Sequence, residues 1–269
     1  MRICFIGGGN MATALIGGLL QHKLEANQLR VVEINADSCA RLSNEFGVQA
    51  DADLGKGVVD SDVIIIAVKP QQLHQVSTTL APLLTGQLLI SIAAGVRAAD
   101  LARWLATKNV VRAMPNTPAL IRSGITGLYA FSGVNKVRRE QAQSILEVVG
   151  KVLWVRDEGM LDAVTAISGS GPGYVFYFME SLQQAARELG FNEADARRLV
   201  LGTFLGAAMQ ADASGEDVSV LRARVTSKNG TTERALLSME LNEVKKHIIG
   251  AALLAADRSR EMGNELGKD

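Results

Sequence analysis

Three small residues near the start of the chain have the types and spacing that bind a pyrophosphate. Gly7, Gly9 and Ala12 form the pattern G-x-G-x-x-A between an apolar stretch and a helical one. The first glycine permits a tight turn, the second lets a pyrophosphate approach the backbone, and the alanine lets helix and strand pack closely. The helix start would offer unpaired N–H groups to the phosphates. We predict a dinucleotide site that also includes Asn10 and Met11, with a purely structural glycine turn as the alternative.

The end of the second predicted strand carries a residue that could choose the cofactor. An acid such as Glu33 at this position accepts hydrogen bonds from ribose hydroxyls, which favours NADH, whereas an Arg would meet the 2′-phosphate of NADPH. Arg41 lies further along the following helix and could reach back. We predict that Glu33 and Asn35 belong to the cofactor site and that the cofactor is NADPH or NADH. A solvated charge at the strand end is the alternative for Glu33.

Apolar runs and helical stretches alternate through the first part of the chain. The runs are short and continuous, as in strands that are covered on both faces of a sheet. Helical stretches between them predict βαβ units, a parallel sheet and right-handed crossovers. The predicted strands are 2–6, 29–34, 63–68, 88–93, 109–114 and 152–155. The predicted helices are 10–22, 38–46 and 141–149.

The pattern changes near residue 160. Between 174 and 189 apolar residues recur every three to four positions, which predicts a helix, and Asn192 caps the helix that follows. The helical pattern then continues nearly to the end and is interrupted near 227–232. We predict an α/β protein with an N-terminal Rossmann-type parallel sheet, residues 1–159, and a C-terminal all-helical domain, residues 160–269.

The composition is typical of a globular protein with enough apolar residues for a core. Of 269 residues, 48% are hydrophobic, and 28 basic residues balance 28 acidic ones. This neutral charge and an aromatic content of 4% argue against a nucleic-acid or membrane-surface partner. The apolar runs are too short to span a bilayer, and Cys4 and Cys39 lack metal-ligand spacing. We expect a cytoplasmic protein without a signal peptide, a metal site or structural disulfides.

Five further stretches are recognisable together with the glycine turn. They are 67–70 (AVKP), 91–95 (SIAAG), 112–118 (RAMPNTP), 167–176 (ISGSGPGYVF) and 225–232 (VTSKNGTT). In this order, and with the glycine turn at the start, they resemble the pyrroline-5-carboxylate reductase family. The resemblance covers most of the chain, and several of the motifs are specific to that family rather than shared by all Rossmann dehydrogenases.

The resemblance implies an activity and an assembly. The activity is hydride transfer from NADPH or NADH to the C=N bond of 1-pyrroline-5-carboxylate, which gives L-proline in the last step of its biosynthesis. The assembly is a homodimer through the helical domain, and five such dimers would form a decamer. A helical tail with a broad apolar face independently favours oligomerisation.

The chain departs from the family's pattern at three places. Lys228 and Asn229 stand where Pro-Gly is common; Asn tolerates a positive φ and so preserves the turn, whereas Lys loosens it. Gly173 replaces a common Ala at a helix start. At the second strand's tip Glu33 and Ile34 replace an Arg or a small polar residue, which puts a preference for NADPH in doubt but not the reaction.

The resemblance places substrate binding in the loop 227–232. Backbone N–H groups around Gly230 would bind the substrate carboxylate, and the hydroxyls of Ser227 and Thr231 would add donors. Thr232 would be the catalytic residue, because its hydroxyl would hydrogen-bond the imine nitrogen. We favour positioning over general acid catalysis, since a free Thr hydroxyl is a poor acid. A simple helix cap is the alternative interpretation of this loop.

The remaining candidates lie at strand ends or near the start of the helical part. Carboxyl ends of strands are where a doubly wound sheet binds its ligand, although a solvated side chain is the alternative for Lys69. The cofactor candidates are Val68, Lys69, Pro70, Ala93, Ala94, Met114, Pro115 and Asn116, the last three backing the nicotinamide. The further substrate candidates are Glu158 and Ser168, the latter in a glycine-rich stretch that permits a close helix approach.

Two other functions are compatible with the sequence. One is another small Rossmann dehydrogenase with a helical tail, such as a β-hydroxyacid dehydrogenase. Those enzymes depend on a catalytic Lys in the second domain, and Lys245 and Lys246 lie outside any matching motif. The other is a non-catalytic nucleotide sensor, which the complete 227–232 loop argues against, since a sensor need not keep a substrate cradle.

Overall fold

The first part of the chain forms one eight-stranded sheet in the computed structural model, which describes residues 1–22 and 24–268. The strands are β1 Ile3–Ile6, β2 Leu29–Val32, β3 Gln49–Asp51, β4 Val63–Ile66, β5 Leu88–Ser91, β6 Val110–Met114, β7 Gly124–Ala130 and β8 Gly150–Trp154. Their order in the sheet is β3-β2-β1-β4-β5-β6-β7-β8. All neighbours pair in parallel except β6 and β7, which are antiparallel.

Helices connect these strands and make up most of the rest of the chain. Those of the sheet region are α1 Asn10–Gln21, α2 Ala36–Phe46, α3 Leu54–Val58, α4 Leu73–Leu80, α5 Ala98–Trp104 and α6 Lys136–Leu146. Those that follow are α7 Met160–Val164, α8 Gly171–Glu188, α9 Glu193–Ser214, α10 Val218–Arg224, α11 Thr231–Leu241 and α12 Val244–Leu266. A π-helical turn, Thr165–Gly169, follows α7.

The central strands β1 and β4 are apolar throughout because both faces of the sheet are covered there. Successive side chains of a strand point to opposite faces. In β1, Ile3 and Phe5 join one hydrophobic cluster and Cys4 and Ile6 join the other. The same alternation separates the side chains of β4. Burying each such side chain contributes roughly 1.5–3 kcal/mol, which explains the continuous apolar runs in the sequence.

The predicted α/β architecture is confirmed, but two strands, three helices of the sheet region (α3, α4 and α5) and one helix start were missed. β3 is short and polar, so it lacks the apolar run that marked the other strands. β7 runs antiparallel to β6 because the connection between them is too short for a parallel crossover. α6 begins at Lys136 rather than at 141, where its first turn is polar and Asn135 caps it by accepting from the N–H of Arg138.

The chain divides into two compact units. The first comprises Met1–Ser170 together with the segment from Ala255 onward, and the second is Gly171–Leu254. This division differs from the predicted boundary after residue 159, because α7, the π turn and the C-terminal part of α12 pack with the sheet. Within the first unit, for example, Ser259 of α12 donates to Asp162 Oδ1 at 2.6 Å.

The second unit has almost no interior of its own. Of residues 171–254, Ala196 and Val200 are the buried ones. Large apolar side chains are exposed along its helices, including Leu201, Leu205 and Met209 of α9. The predicted cap of α9 is confirmed, since Asn192 accepts from the N–H of Asp195, and α8 ends shortly before Gly190, whose φ is +100°. No helix among the described residues is long and apolar enough to cross a membrane.

Candidate active site

A cleft opens at the carboxyl ends of β1, β2 and β4. Because β2 and β4 flank β1 on opposite sides, the chain direction across the sheet reverses here, and such switch points are where ligands bind. The cleft has a volume of about 480 Å³. It is lined by Ile6, Gly7, Gly8, Gly9, Val32, Glu33, Ile34, Ala52, Leu54, Ala67, Val68, Lys69, Gln72, Gln75, Val76 and Thr79.

The glycine turn has the geometry that its sequence predicts. Gly7 has a φ of +100° and donates its N–H to the Val32 carbonyl at 2.8 Å. A Cβ on Gly7 would lie 2.7 Å from the Ala67 carbonyl oxygen, whereas a Cβ on Gly9 would meet no atom within 4 Å. The turn is therefore closed toward β4 at Gly7 and open at Gly9, where a pyrophosphate must approach.

The helix after the turn presents unpaired N–H groups. α1 begins at Asn10, and no side chain caps it at Gly9. The first bond of the helix runs from the Thr13 N–H to the Gly9 carbonyl, so the preceding amides have no partner within the helix. Ala12 is buried in the core cluster that includes β1, while Asn10 is exposed and Met11 is partly buried. The helix start is thus suited to an anion.

Glu33 is fixed against the glycine turn rather than solvated. Its Oε2 accepts from the N–H of Gly8 at 2.8 Å, and its Oε1 accepts from the N–H of Asn35 at 2.9 Å. The Asn35 side chain caps α2 by accepting from the N–H of Ser38. Asn35 therefore holds the strand tip in shape, while Glu33 lines the cleft.

Arg41 reaches back to the glycine turn, but on the other side of Gly8. Its Nη2 donates to the Gly8 carbonyl at 3.2 Å and to Thr13 Oγ1 at 3.3 Å, and its Nη1 pairs with Glu45. The nearby thiol of Cys39 donates to the Glu33 carbonyl. Desolvation and the charge of Glu33 raise the pKa of Cys39, so this thiol stays protonated at neutral pH.

Two of the predicted residues after β4 line the cleft, whereas the described lining does not include those predicted after β5. Val68 and Lys69 line the cleft, and Pro70 opens a short 3₁₀ helix behind them. Ala93 is buried and Ala94 is partly exposed. The loop continues to Gly95, whose φ is +81° and whose Cβ would lie 2.9 Å from Leu266 Cδ1 of α12.

Of the predicted residues at and after the end of β6, Asn116 is held by a hydrogen bond of its side-chain amide and Met114 by packing. Asn116 is buried and its Oδ1 accepts from the N–H of Ile125 at 3.0 Å, which ties the loop around Pro115 to β7. Met114 lies against the π turn, where a Cβ on Gly169 would be 2.6 Å from its Cε. In this glycine-rich stretch Gly169 is therefore closely packed, whereas a Cβ on Gly171 or Gly173 would meet no atom within 4 Å.

Glu158 and Ser168 have partners within the fold. Glu158 Oε1 accepts from the N–H of Ala98, at the start of α5, at 2.6 Å, and from Nη1 of Arg112 at 2.9 Å. Ser168 is only weakly held, with its Oγ 3.5 Å from the Ile125 carbonyl. The structure therefore gives Glu158 a helix-capping and ion-pairing task, and its role toward a substrate stays a prediction.

The loop 227–232 belongs to the second unit and forms a tight turn. The Gly230 N–H donates to the Ser227 carbonyl at 3.0 Å, and Asn229 has a φ of +59°, as predicted for Asn at this position. A Cβ on Gly230 would lie against Ser227 Oγ. Thr231 begins α11, and Thr232 is partly buried in its first turn. The loop therefore requires a glycine at 230 and leads directly into a helix start.

Two charged side chains beside this loop were missed by the sequence reasoning. Glu233 Oε2 accepts from the N–H of Asn229 at 2.7 Å, so that amide is already occupied. Arg234 lines a cavity of about 660 Å³ together with Asn229, Gly230 and Thr231. The sequence did offer a signal for both residues: they follow the loop directly and lie in the first turn of α11, and side chains of a first helical turn fold back over the loop before it.

Known proteins similar to this chain share both parts of it. A family model described as pyrroline-5-carboxylate reductase dimerisation matches residues 158–262, and one described as NADP oxidoreductase, coenzyme F420-dependent, matches residues 2–95. The pyrroline-5-carboxylate reductase of Pseudomonas aeruginosa is 45% identical over 269 residues, which are 99% of this chain and 98% of the relative.

Solved structures agree with the sequence matches. The structure of a pyrroline-5-carboxylate reductase from Coxiella burnetii has a TM-score of 0.92 at 39% identity and covers 97% of this chain and 98% of its own. The structure of the pyrroline carboxylate reductase of Plasmodium falciparum, with NADP bound, has a TM-score of 0.87 at 28% identity and covers 98% of each chain. The similarity extends over nearly the whole length.

Proposed function

This chain belongs to the pyrroline-5-carboxylate reductase family, and on that premise we propose how its own residues hold the two reactants. The protein is an NAD(P)H-dependent oxidoreductase that acts on an imine. The reaction reduces the C=N bond of 1-pyrroline-5-carboxylate and forms L-proline. The family assignment decides against the β-hydroxyacid dehydrogenase and the nucleotide sensor.

The cleft beside β1 fits a nicotinamide dinucleotide. The feature that carries this part of the proposal is the contrast between Gly7, which is packed against Ala67, and Gly9, where the backbone is open. The dinucleotide supplies a hydride when bound. The first amides of α1 would hold its pyrophosphate, and Glu33, Val68 and Lys69 would line its course along the strand ends.

The loop before α11 binds the substrate in this proposal. The amide of Asn229 is bonded to Glu233, so the N–H groups left for a carboxylate are those of the first turn of α11. Thr232 lies in that turn and would orient the imine nitrogen through its hydroxyl. The charge of Arg234 beside the same loop would further favour an anionic substrate.

The helical unit supports a homo-oligomer, because a large apolar surface of its helices is uncovered in the single chain. We propose that two chains pair through this unit and that dimers assemble further into a decamer. The family model that matches residues 158–262 is described as a dimerisation domain, which supports the pairing. A cytoplasmic location stays a prediction.

One experiment tests the reaction and the role of Thr232. Oxidation of NADH and of NADPH is followed with 1-pyrroline-5-carboxylate, comparing the wild type, Thr232→Ala and Thr203→Ala. Thr203 is a matched control because, among the described residues, its hydroxyl donates to the Leu199 carbonyl within its own helix, α9. We expect Thr232→Ala to lower kcat/KM about a hundredfold through lost positioning. No turnover with either cofactor would refute the function, and normal activity of Thr232→Ala would remove the role of Thr232 alone.

A further inference from the structure

The carboxylate of Glu33 is fixed at the tip of β2 by two backbone amides. Gly8 donates to one oxygen at 2.8 Å and Asn35 to the other at 2.9 Å. A carboxylate oxygen accepts at two sites, so each oxygen retains one acceptor site. Because Glu33 lines the cleft, these sites are available to the hydroxyls of a ribose placed at the end of β2.

The cation that α2 places near the glycine turn is Arg41, which already has hydrogen-bond and ion-pair partners. Arg41 donates to the carbonyl of Gly8 and to Thr13 Oγ1, and it pairs with Glu45 at 3.3 Å. The peptide groups of Gly8 thus separate the two charges, with its N–H toward Glu33 and its carbonyl toward Arg41. Arg41 lines a different cavity, together with Asn10, and is not among the residues that line the cleft.

The charged residues that line the cleft are Glu33 and Lys69. Lys69 follows β4, whereas the adenosine ribose of a dinucleotide lies at the end of β2 in this fold. The wall near Glu33 is apolar: the side chain of Ile34 is 81% exposed, and Leu54 and Val76 lie in the same lining. This wall suits an adenine ring, but the described residues that form it offer no positive charge to a phosphate on the ribose.

We propose that the cleft selects NADH over NADPH and that Glu33 is the residue that excludes the 2′-phosphate. A phosphate beside a fixed carboxylate meets like charge, and the carboxylate also loses a hydroxyl donor. The proposal rests on the dinucleotide site of the proposed function and deepens it.

The preference for NADH is tested by measuring cofactor binding in the absence of the imine substrate. The affinities of NADH and NADPH are measured by nicotinamide fluorescence, and those of 5′-AMP and adenosine 2′,5′-bisphosphate by calorimetry. We expect wild-type protein to bind the forms without the 2′-phosphate at least about tenfold more tightly, as a like-charge contact of about 1.4 kcal/mol predicts. Equal or tighter binding of NADPH by the wild type would overturn the proposal.

Variants then test Glu33 itself. Glu33→Gln removes the charge and keeps the size, so we expect the NADH preference to disappear, and adding Ile34→Arg should reverse it. Glu140→Gln is the matched control, because Glu140 is an exposed glutamate on α6 whose ion pair with Lys136 spans 3.8 Å. An unchanged ratio in Glu33→Gln would refute the role of Glu33.

Thermal melting and one substitute variant complete the test of Glu33. Thermal melting shows whether Glu33→Gln folds; if it does not, Ile34→Arg alone in the wild-type background takes its place and should narrow the ratio. Because all of these are binding ratios, they are independent of turnover. A protein that selects NADH but does not reduce 1-pyrroline-5-carboxylate would contradict the proposed function and leave this inference standing.

Discussion

Arg112 and Glu158 form an ion pair in the interior of the first unit, with 2.9 Å between Nη1 and Oε1. Arg112 is 5% exposed, and Glu158 also accepts from the N–H of Ala98 at the start of α5. One carboxylate therefore neutralises a buried guanidinium on β6 and caps a helix. The pair joins β6, α5 and the segment ahead of α7.

Removal of this carboxylate should destabilise the fold. In Glu158→Ala, Arg112 loses its counter-charge and α5 loses its cap, which we expect to cost about 2 kcal/mol, since Glu158 is partly exposed. The measurement is the urea midpoint at fixed protein concentration. Glu158→Gln should cost less because an amide oxygen still accepts from Ala98. Glu140→Ala, which removes only a surface pair, should change the midpoint little; equal effects of the two alanine variants would contradict the assignment.

The two glycines of the turn should respond differently to the same substitution. Gly9→Ala should fold normally, because its Cβ meets no atom within 4 Å, yet it should weaken dinucleotide binding by occupying the space of the pyrophosphate. Gly7→Ala should destabilise the protein as well, because its φ is positive and its Cβ would meet Ala67. Melting temperature and cofactor affinity, measured on both variants, separate these effects. Unchanged NADH affinity in Gly9→Ala would count against the pyrophosphate position.

The exposed row on α9 should matter for assembly. Leu201, Leu205 and Met209 are spaced four residues apart and therefore share a face of the helix. Leu205→Lys places a charge in this face and should shift the protein toward monomer, as measured by light scattering over a range of concentrations. Val137→Lys changes an exposed valine on α6 and should leave the mass unchanged. A Leu205→Lys protein of wild-type mass would place the interface elsewhere.

The buried thiol of Cys4 should make stability depend on pH above 9. Burial raises the pKa of Cys4 to about 12, from the value of 9.0 expected in the unfolded chain. Between these values the unfolded state releases the thiol proton and the folded state keeps it. The contribution is therefore complete below pH 9 and decreases by roughly 1.4 kcal/mol per pH unit above it.

The difference between wild type and Cys4→Ala isolates this effect. Denaturant unfolding at pH 8, 9.5 and 10.5 should show the wild type losing stability faster than the variant. The cavity left by the missing sulfur changes stability by an amount that does not depend on pH. Parallel curves over this range would show that Cys4 ionises without a penalty in the fold.

Local patterns were sufficient for much of the fold. The apolar run at 63–68 and the run at 88–93, in which Ser91 is the one polar residue, mark strands because burial on both faces favours apolar side chains at successive positions. Gly7 and Asn229 are residue types that tolerate a positive φ, so turns at both positions are readable from residue type. Short-range physics acts within a few residues and is therefore readable along the chain.

Long-range partners were not readable in this way. β3 is a strand only because it pairs with the free edge of β2. β7 is antiparallel because the short connection after β6 brings the chain back along that strand in the opposite direction. Glu158, a predicted substrate ligand, has partners 46 and 60 residues away in the chain. A carboxylate in a sequence does not reveal which of many distant donors will meet it.

The end of β2 shows the difference between local and long-range information most clearly. Residue types and local spacing were enough to predict that a glycine turn opens a helix after β1 and that an acid stands at the end of β2. The position of Gly8 between Glu33 and Arg41, with the two charges on opposite sides of it, is visible only in the folded chain. Hydrogen bonds between residues 25 and 33 positions apart exist only after the strands have paired and α2 has packed.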